Sequence, residues 1–238
     1  MIDPLKPVRA VGATALPVRP LVVELVGPAA AGKTSLLLSL ARDDKTLRPG
    51  LRPPRHRHLA NAIALTPTFL GLHRPYCGLL WKEMKRITYL TTLQRLVETN
   101  ISAGERAVVL DEGPVYMLAR LLVFGEDRIR SVAFERWWRH AVEQWARLLD
   151  VIVWLDAPDP ILMHRLRVRP QPHPIKELSD DAMIHFLGAY RAAYDRVMGA
   201  LAAGHGPTVL KLRTDQESLS HLAQRVTAEM RKKGVHRS

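Results

Sequence analysis

A glycine-rich turn between two apolar segments carries the residues best suited to chemistry. The turn, GPAAAGKTS at residues 27–35, has the spacing G-x-x-x-x-G-K-[ST] and stands between a predicted strand and a predicted helix. Its two glycines allow the backbone to turn N–H groups towards phosphate oxygens. The helix that follows directs the positive end of its dipole to the same place. The sequence therefore predicts a binding site for the phosphates of a nucleotide.

Two side chains of this loop have specific predicted roles. Lys33 supplies a positive charge for the β- and γ-phosphates of ATP, and the hydroxyl of Thr34 is a ligand for Mg²⁺. The residues expected to contact the nucleotide are Gly27, Ala29, Ala30, Ala31, Gly32, Lys33, Thr34 and Ser35.

An acidic pair follows the short apolar run AVVL at residues 107–110, which is typical of a strand buried on both faces of a parallel sheet. Asp111 and Glu112 should emerge beside the phosphate-binding loop, because the carboxyl ends of parallel strands share one edge of the sheet. We expect Asp111 to hold Mg²⁺, and Glu112 to orient or deprotonate an attacking hydroxyl. Which of the two is the base stays open.

A basic cluster follows the later apolar run VIVWL at residues 151–155. Arg165 and Arg169 are four residues apart, so they are expected to share a helix face. Three prolines between residues 170 and 174 end any helix there, which favours a mobile flap at about residues 160–178. Arginines on such a flap would neutralise a transferring phosphoryl group and exclude water from it.

The overall composition limits the classes of function. The net charge of +12 is compatible with nucleic acid, an acidic membrane or a phosphorylated substrate as partner. No nucleic-acid-binding motif appears, so we favour a solvated basic surface.

No apolar run has the length of a membrane span, and the first residues lack the apolar core of a signal peptide. The single cysteine, Cys77, favours a reducing cytoplasm, and the oligomeric state stays open, with a homodimer among the alternatives.

Strands that alternate with helices predict an α/β fold with three layers, α/β/α, around a parallel sheet of about five strands. Strands are expected at residues 21–26, 107–110, 151–155 and 208–212, with an edge strand within 46–51. Helices are expected from 33 to near 41, over 59–70 with a break at Pro67, and over 79–101, 115–124, 129–149, 160–167, 179–201 and from about 217. We expect one domain over 21–225, an extended arm at 1–20 and a basic tail at 226–238.

Three stretches of this chain are similar to those of the nucleoside and nucleotide kinases of the P-loop fold, among which thymidylate and deoxynucleoside kinases are the nearest members. The stretches are GPAAAGKTS, VVLDEGPVY and DVIVWLDAPDPILMHRLRVR. The resemblance implies a nucleoside monophosphate kinase-like fold with an arginine-rich lid. It implies that Arg165 and Arg169 match lid arginines that contact ATP. It also implies that Thr214 and Asp215 lie where the loop after the last strand holds adenine.

The acceptor half of the resemblance does not carry over. These kinases have an acidic residue followed by arginine at the third strand, where this chain has Asp111 and Glu112. We expect the acceptor to bind within about residues 42–100 and beside Glu112. Position alone selects Arg57, Arg86 and Arg120 as candidates, together with Arg55, His56, Lys82, Tyr89 and Gln94.

The leading hypothesis is an ATP-dependent phosphotransferase that moves the γ-phosphate of Mg-ATP to a small acceptor, such as a nucleoside, a nucleotide, a sugar or an antibiotic. A P-loop ATPase or nucleotide-driven switch without an acceptor is the alternative, since Asp for Mg²⁺ beside Glu for water suits hydrolysis. A basic nucleic-acid-binding protein with a vestigial nucleotide site is a third, weaker interpretation.

Overall fold

The computed structural model describes residues 19–51, 53–72, 81–99, 105–124, 132–204 and 206–235. In chain order these contain β1 (Leu21–Val26), α1 (Lys33–Asp43), β2 (Leu47–Pro49), α2 (Arg55–Ala64), α3 (Thr66–Leu72), α4 (Trp81–Thr99), β3 (Ala107–Leu110), α5 (Pro114–Phe124), α6 (Val132–Leu148), β4 (Val151–Asp156), α7 (Asp159–Val168), α8 (Asp180–Ala202), β5 (Thr208–Arg213) and α9 (Leu219–Val235).

The five strands form one parallel sheet in the order β2-β3-β1-β4-β5. Strand β1 is central, with Glu24 opposite Leu110 of β3 and Val26 opposite Trp154 of β4. Because all strands run the same way, the carboxyl ends of β1, β3 and β4 meet at one edge. The short strand β2 ends at Pro49 and lies at the outer edge, as predicted from its proline.

Side chains of β1 alternate between two hydrophobic cores. Val22 and Val26 pack with residues of α4, α5, α6 and α8 on one face of the sheet. Val23 and Leu25 pack with residues of α1, α7 and α9 on the other face, where the first turns of α8 also contribute. The predicted three-layer α/β/α fold is therefore confirmed. Among the helices described, none is both long and apolar enough to cross a membrane.

The region after β2 is more helical than the sequence indicated. Helix α2 begins at Arg55, inside the proline- and arginine-rich stretch, and its hydrogen-bonded turns end at Leu65 rather than at Pro67. Pro67 instead lies in the first turn of α3, where a missing backbone N–H costs little. Residues 73–80, which include Cys77, lie outside the described residues.

The C-terminal segment also differs in detail from the expected tail. Helix α9 continues past residue 225 as far as Val235, and Val226 and Met230 are buried in the second core. The basic side chains Lys232 and Lys233 therefore belong to the last turn of a packed helix. Of the predicted N-terminal arm, only residues 19 and 20 are described.

A buried carboxylate joins the central strand to α5. Glu24 is fully buried, and its two oxygens accept hydrogen bonds from the backbone N–H groups of Val115 (2.9 Å) and Tyr116 (3.0 Å). A Cβ at Gly113 would lie 2.6 Å from the Glu24 carboxyl carbon, so any larger residue here would have to displace that carboxyl group. The turn that contains Asp111 and Glu112 is thereby held against β1.

We predict that Glu24→Gln destabilises the protein by about 1–3 kcal/mol, because an amide has one acceptor oxygen for two N–H donors. Burial raises the pKa of Glu24 from 4.5 to about 8, although the N–H hydrogen bonds oppose this. A carboxyl whose pKa is raised by folding stabilises the protein at low pH, and that contribution is lost as the pH rises towards 8. The free-energy difference between wild type and Glu24→Gln should therefore shrink between about pH 5 and pH 8, as measured by urea unfolding.

The matched control is Glu143→Gln, which makes the same exchange at an exposed position on α6. It should leave both the stability and its pH dependence close to wild type. Stability curves for wild type and Glu24→Gln that run parallel from pH 5 to pH 8 would contradict the role given to this carboxyl.

Candidate active site

The phosphate-binding loop is pressed against the end of β4. Gly27 has a φ of 147°, and a Cβ there would lie only 2.0 Å from the Leu155 carbonyl oxygen. Gly32, which precedes α1, has a φ of 90° and Ala30 has a φ of 62°. These left-handed conformations are the ones that turn successive N–H groups into a concave, anion-binding arrangement.

Lys33 is folded over this loop. Its Nζ donates hydrogen bonds to the carbonyl oxygens of Gly27 (2.9 Å) and Pro28 (3.0 Å). Burial lowers the pKa of Lys33 to about 8, while the charges of Asp111 and Glu112 act against this. The ammonium group therefore remains largely protonated at pH 7.

The predicted metal ligands lie next to each other. The Thr34 hydroxyl donates a hydrogen bond to Oδ2 of Asp111 at 3.1 Å, across the gap between α1 and the end of β3. Asp111 is half-buried and Glu112 is exposed. In the described parts of the chain no group of three or more His, Cys, Asp or Glu side chains could hold a metal by itself.

A cavity of about 600 Å³ joins the loop to three other groups of residues. The loop contributes most of its predicted contacts, but Ala31 is buried in the second core and does not line the cavity. The lining residues are Gly27, Ala29, Ala30, Gly32, Lys33, Thr34 and Ser35 of the loop, the acidic pair Asp111 and Glu112, the lid residues Arg165, Arg169, Gln171 and His173, and Tyr116, Phe186, Leu187, Tyr190 and Tyr194.

The two lid arginines reach the cavity in different ways. Arg165 is on α7, whereas Arg169 follows the helix with extended backbone, so the predicted shared helix face is wrong. Helix α7 ends at Val168 because Pro170 disfavours helical backbone at the residue before it, Arg169. The Arg169 carbonyl oxygen accepts a hydrogen bond from Lys176 Nζ (2.9 Å), which folds the segment back on itself.

The predicted adenine-binding residues lie beside the lid and outside the cavity lining. Arg165 donates to the hydroxyl and the carbonyl oxygen of Thr214, both at 2.9 Å. Asp215 pairs with Arg213, at 3.0 Å between Oδ1 and Nε. Thr214 therefore contacts the site through Arg165.

A salt-bridge cluster that the sequence did not reveal anchors the lid helix. Arg191 on α8 donates to both carboxylate oxygens of Asp156 (3.0 and 3.1 Å) and to Asp159 (2.5 Å). It thus ties α8 to the end of β4 and to the first turn of α7. No local pattern pairs an arginine with carboxylates more than 30 residues away, so this cluster could not be read from the sequence.

Four aromatic side chains line the cavity, and we call them the aromatic wall: Tyr116, Phe186, Tyr190 and Tyr194. The last three lie four residues apart on α8, with ring centroids 4.8 Å apart for Phe186–Tyr190 and 6.0 Å apart for Tyr190–Tyr194. Burial raises the pKa of Tyr190 to about 12, so its hydroxyl stays neutral. The spacing was visible in the sequence, but it is equally typical of core packing.

Of the proposed acceptor residues, neither Arg86 nor Arg120 lines the cavity, but Arg120 contacts the aromatic wall. Arg120 Nη1 donates to the Tyr116 hydroxyl at 2.7 Å, and both guanidinium groups lie over the Phe124 ring. The exposed side chains of His56, Arg57 and Lys82 do not line the cavity. Tyr89 packs on the first core and Gln94 donates to Glu98 (3.1 Å), while the side chain of Arg55 is outside the described set.

The lid side of the cavity is strongly cationic. Burial lowers the pKa of His173, and the charges of Arg169, Lys33 and Arg120 lower it further. Burial and three neighbouring cations therefore disfavour protonation of this imidazole. A concentration of positive charge in a concave site attracts polyanions such as nucleotide phosphates.

This chain is similar to known proteins in its fold rather than in its sequence. No family model matches the chain, and no curated protein matches it. Among solved structures, the YorR protein of Bacillus subtilis, in complex with phosphorylated GDP, is similar with 18% identity and a TM-score of 0.50 over 87% of this chain and 94% of that one. The deoxyadenosine kinase of M. mycoides, with dCMP and dCDP bound, is similar with 9% identity and a TM-score of 0.53 over 89% and 99%.

The likeness to these structures covers nearly the whole of each of them and most of this chain. At such low identity, the likeness shows only that the architecture is shared. A shared architecture is consistent with the strand order and the loop geometry described above. The chain therefore has the fold of the P-loop kinases.

Proposed function

We propose that this protein is a phosphotransferase that moves the γ-phosphate of Mg-ATP to a small acceptor, with a nucleoside, a nucleotide or a related hydroxyl compound as the expected class. One observation carries the proposal: a single cavity joins the phosphate-binding loop, the acidic pair and the lid arginines to the aromatic wall. A site for hydrolysis alone has to hold water beside the phosphates. This cavity continues into a wall suited to a second organic molecule.

The donor side of the cavity fits a nucleotide with its metal. Mg²⁺ in phosphoryl-transfer sites is bound through one or two carboxylates and the substrate phosphates rather than by a cage of protein ligands. The Thr34 hydroxyl and the Asp111 carboxylate are oxygen ligands of the right kind, and their contact places them at one point of the loop. Lys33, Arg165 and Arg169 would neutralise the phosphates around that ion.

The acceptor side gives Glu112 its proposed role. Glu112 follows the metal-binding candidate directly and lines the same cavity as Tyr116. From there it would accept the proton of the attacking hydroxyl, or orient that hydroxyl, as the γ-phosphate is transferred. The same residue could instead orient water for hydrolysis, as the alternative ATPase function requires.

A cytoplasmic location and a homodimer stay predictions from the sequence.

Lys33→Ala should abolish most of the increase in Tm that Mg-ATP produces, because the ammonium group is lost while the glycines that shape the loop remain. Thermal unfolding with and without Mg-ATP measures this. Lys45→Ala, which removes an exposed lysine between α1 and β2, is the control and should keep the wild-type increase. A Lys33→Ala protein with the full increase and full activity would refute the assignment of the loop.

The acidic pair should separate into two roles. Asp111→Asn should raise the Mg²⁺ concentration needed for half-maximal activity by roughly 10- to 100-fold, since a metal contact is weakened. Glu112→Gln should instead lower kcat by ~100-fold or more at saturating Mg²⁺, as loss of a general base does. Asp43→Asn on α1 serves as the control for the first substitution. Small and equal effects of both changes would mean that the pair only forms a turn.

Transfer and hydrolysis are distinguished by the lid. ATP labelled at the γ-phosphate should be consumed slowly alone and much faster with the correct acceptor, which should carry the label. Arg165→Ala and Arg169→Ala should lower this rate by roughly 100-fold or more, and weaken ATP binding less, because their charge matters most in the transition state.

The control for the lid variants is Arg167→Ala on the same helix, whose side chain pairs with Asp180 and does not line the cavity. The acceptor panel should include nucleosides, nucleotides, sugars and aminoglycosides. Rapid release of free phosphate without any acceptor, unaffected by the lid variants, would reject transfer and favour the ATPase.

A further inference from the structure

Two arginines lie side by side behind the aromatic wall, and we call them the arginine pair: Arg86 of α4 and Arg120 of α5. Their guanidinium carbons lie 5.7 and 5.4 Å from the centroid of the same Phe124 ring. Arg120 also lies over the Tyr116 ring and donates to its hydroxyl at 2.7 Å. The pair is therefore connected to the cavity through a residue of its wall.

The charge of the arginine pair is poorly compensated. Glu83 approaches Arg86 at 3.5 Å, and the Arg86 side chain is only 13% exposed. Over the described ranges, no carboxylate lies within 4 Å of Arg120. Burial, and secondarily the charge of Arg120, lower the pKa of Arg86. Within 4 Å the two cations therefore have one carboxylate, that of Glu83, while the charge of Glu112 acts on Arg120 from further away and helps to raise the pKa of Arg120.

Hydrogen-bond donors of the pair also lack acceptors. Nη1 of Arg86 and Nε of Arg120 are buried without a hydrogen-bond partner among the described residues. Buried polar groups in folded proteins are nearly always satisfied, and an unsatisfied one commonly marks a place where a ligand or ion belongs. Guanidinium groups match phosphate and carboxylate oxygens better than any other side chain does.

The position of the pair relates it to the acceptor rather than to ATP. Its contact in the cavity is Tyr116, on the aromatic wall, whereas the phosphate-binding loop has its own cation in Lys33. The neutral Tyr190 and the Tyr116 ring offer flat apolar surface beside the pair. A molecule that fills this side would have a planar ring against the wall and a negative group near the two guanidinium groups.

Building on the phosphotransferase proposed above, we infer that the acceptor is an anionic planar molecule whose phosphate or carboxylate group is bound by Arg86 and Arg120. The hydroxyl or phosphate oxygen that attacks ATP belongs to the same molecule and faces Glu112. Neutral nucleosides and sugars are then poor acceptors, and compounds such as nucleoside monophosphates or aromatic acids are good ones.

Binding can be measured without turnover. Isothermal titration calorimetry with phenyl phosphate, benzoate and phenol compares a phosphate, a carboxylate and a neutral ring. The protein is first saturated with Mg²⁺ and the β,γ-imido analogue of ATP, so that phosphate cannot report on the phosphate-binding loop. We expect phenyl phosphate or benzoate to bind at least tenfold more tightly than phenol, and the difference between these two probes identifies the preferred anion.

Arg86→Ala and Arg120→Ala should each weaken binding of the preferred anion by about tenfold or more, since each removes a charge-assisted hydrogen bond to the anion. Arg136→Ala removes an exposed charge from α6 and should have no effect. If an alanine variant does not fold, Arg86→Lys and Arg120→Lys keep the charge and lose the fork geometry. They should give a smaller but measurable loss.

Equal affinity for phenol and the anions, or unchanged affinity in every variant of the pair, would overturn the inference. The labelled-ATP assay separates this failure from failure of the proposed function. Transfer to neutral acceptors with an unchanged KM in the variants would refute the anionic acceptor and leave the phosphotransferase standing. Anion binding that depends on the pair, without transfer to any acceptor, would refute the phosphotransferase and leave the anion site standing. Support for both requires a raised acceptor KM in the variants with the KM for ATP unchanged.

Discussion

The hydrogen bonds between the buried Glu24 carboxyl group and the start of α5 are the constraint on which the site depends. Burying an acid in the central strand is unfavourable, and the elevated pKa reflects this. In exchange, β1, the acidic turn after β3 and the first turn of α5 are fixed to one another. That first turn carries Tyr116, and Arg120 lies one turn further on. The acidic pair and Tyr116 are therefore positioned by the same contact.

A parallel sheet with β1 at its centre brings the remaining parts together. The ends of β3 and β4 lie on either side of the loop, so that Asp111 reaches Thr34 and the Leu155 carbonyl meets Gly27. Helix α8 supplies three of the four residues of the aromatic wall, and Arg191 on the same helix also fixes the first turn of α7.

The sequence predicted what depends on short stretches and on general rules of parallel sheets. The phosphate-binding loop is contiguous, and the proximity of Asp111 to Thr34 follows from the shared edge of the strands. The partners of Glu24 and Arg191 lie about 90 and 35 residues away, and no local pattern encodes them. The wall residues on α8 have the four-residue spacing of any buried helix face. Arg169 was placed on a helix because its spacing was read without the effect of Pro170 on the preceding residue.

In the proposed function, one cavity holds the phosphates of ATP on one side and an organic acceptor on the other. A crystal structure with Mn²⁺ and the β,γ-imido analogue of ATP tests it most directly, because the anomalous signal locates the metal. The account predicts the ion between the nucleotide phosphates, Thr34 and Asp111, with the γ-phosphate facing Glu112 and the aromatic wall. A nucleotide bound outside the cavity, or a γ-phosphate turned away from the wall with its metal remote from Thr34 and Asp111, would contradict the account.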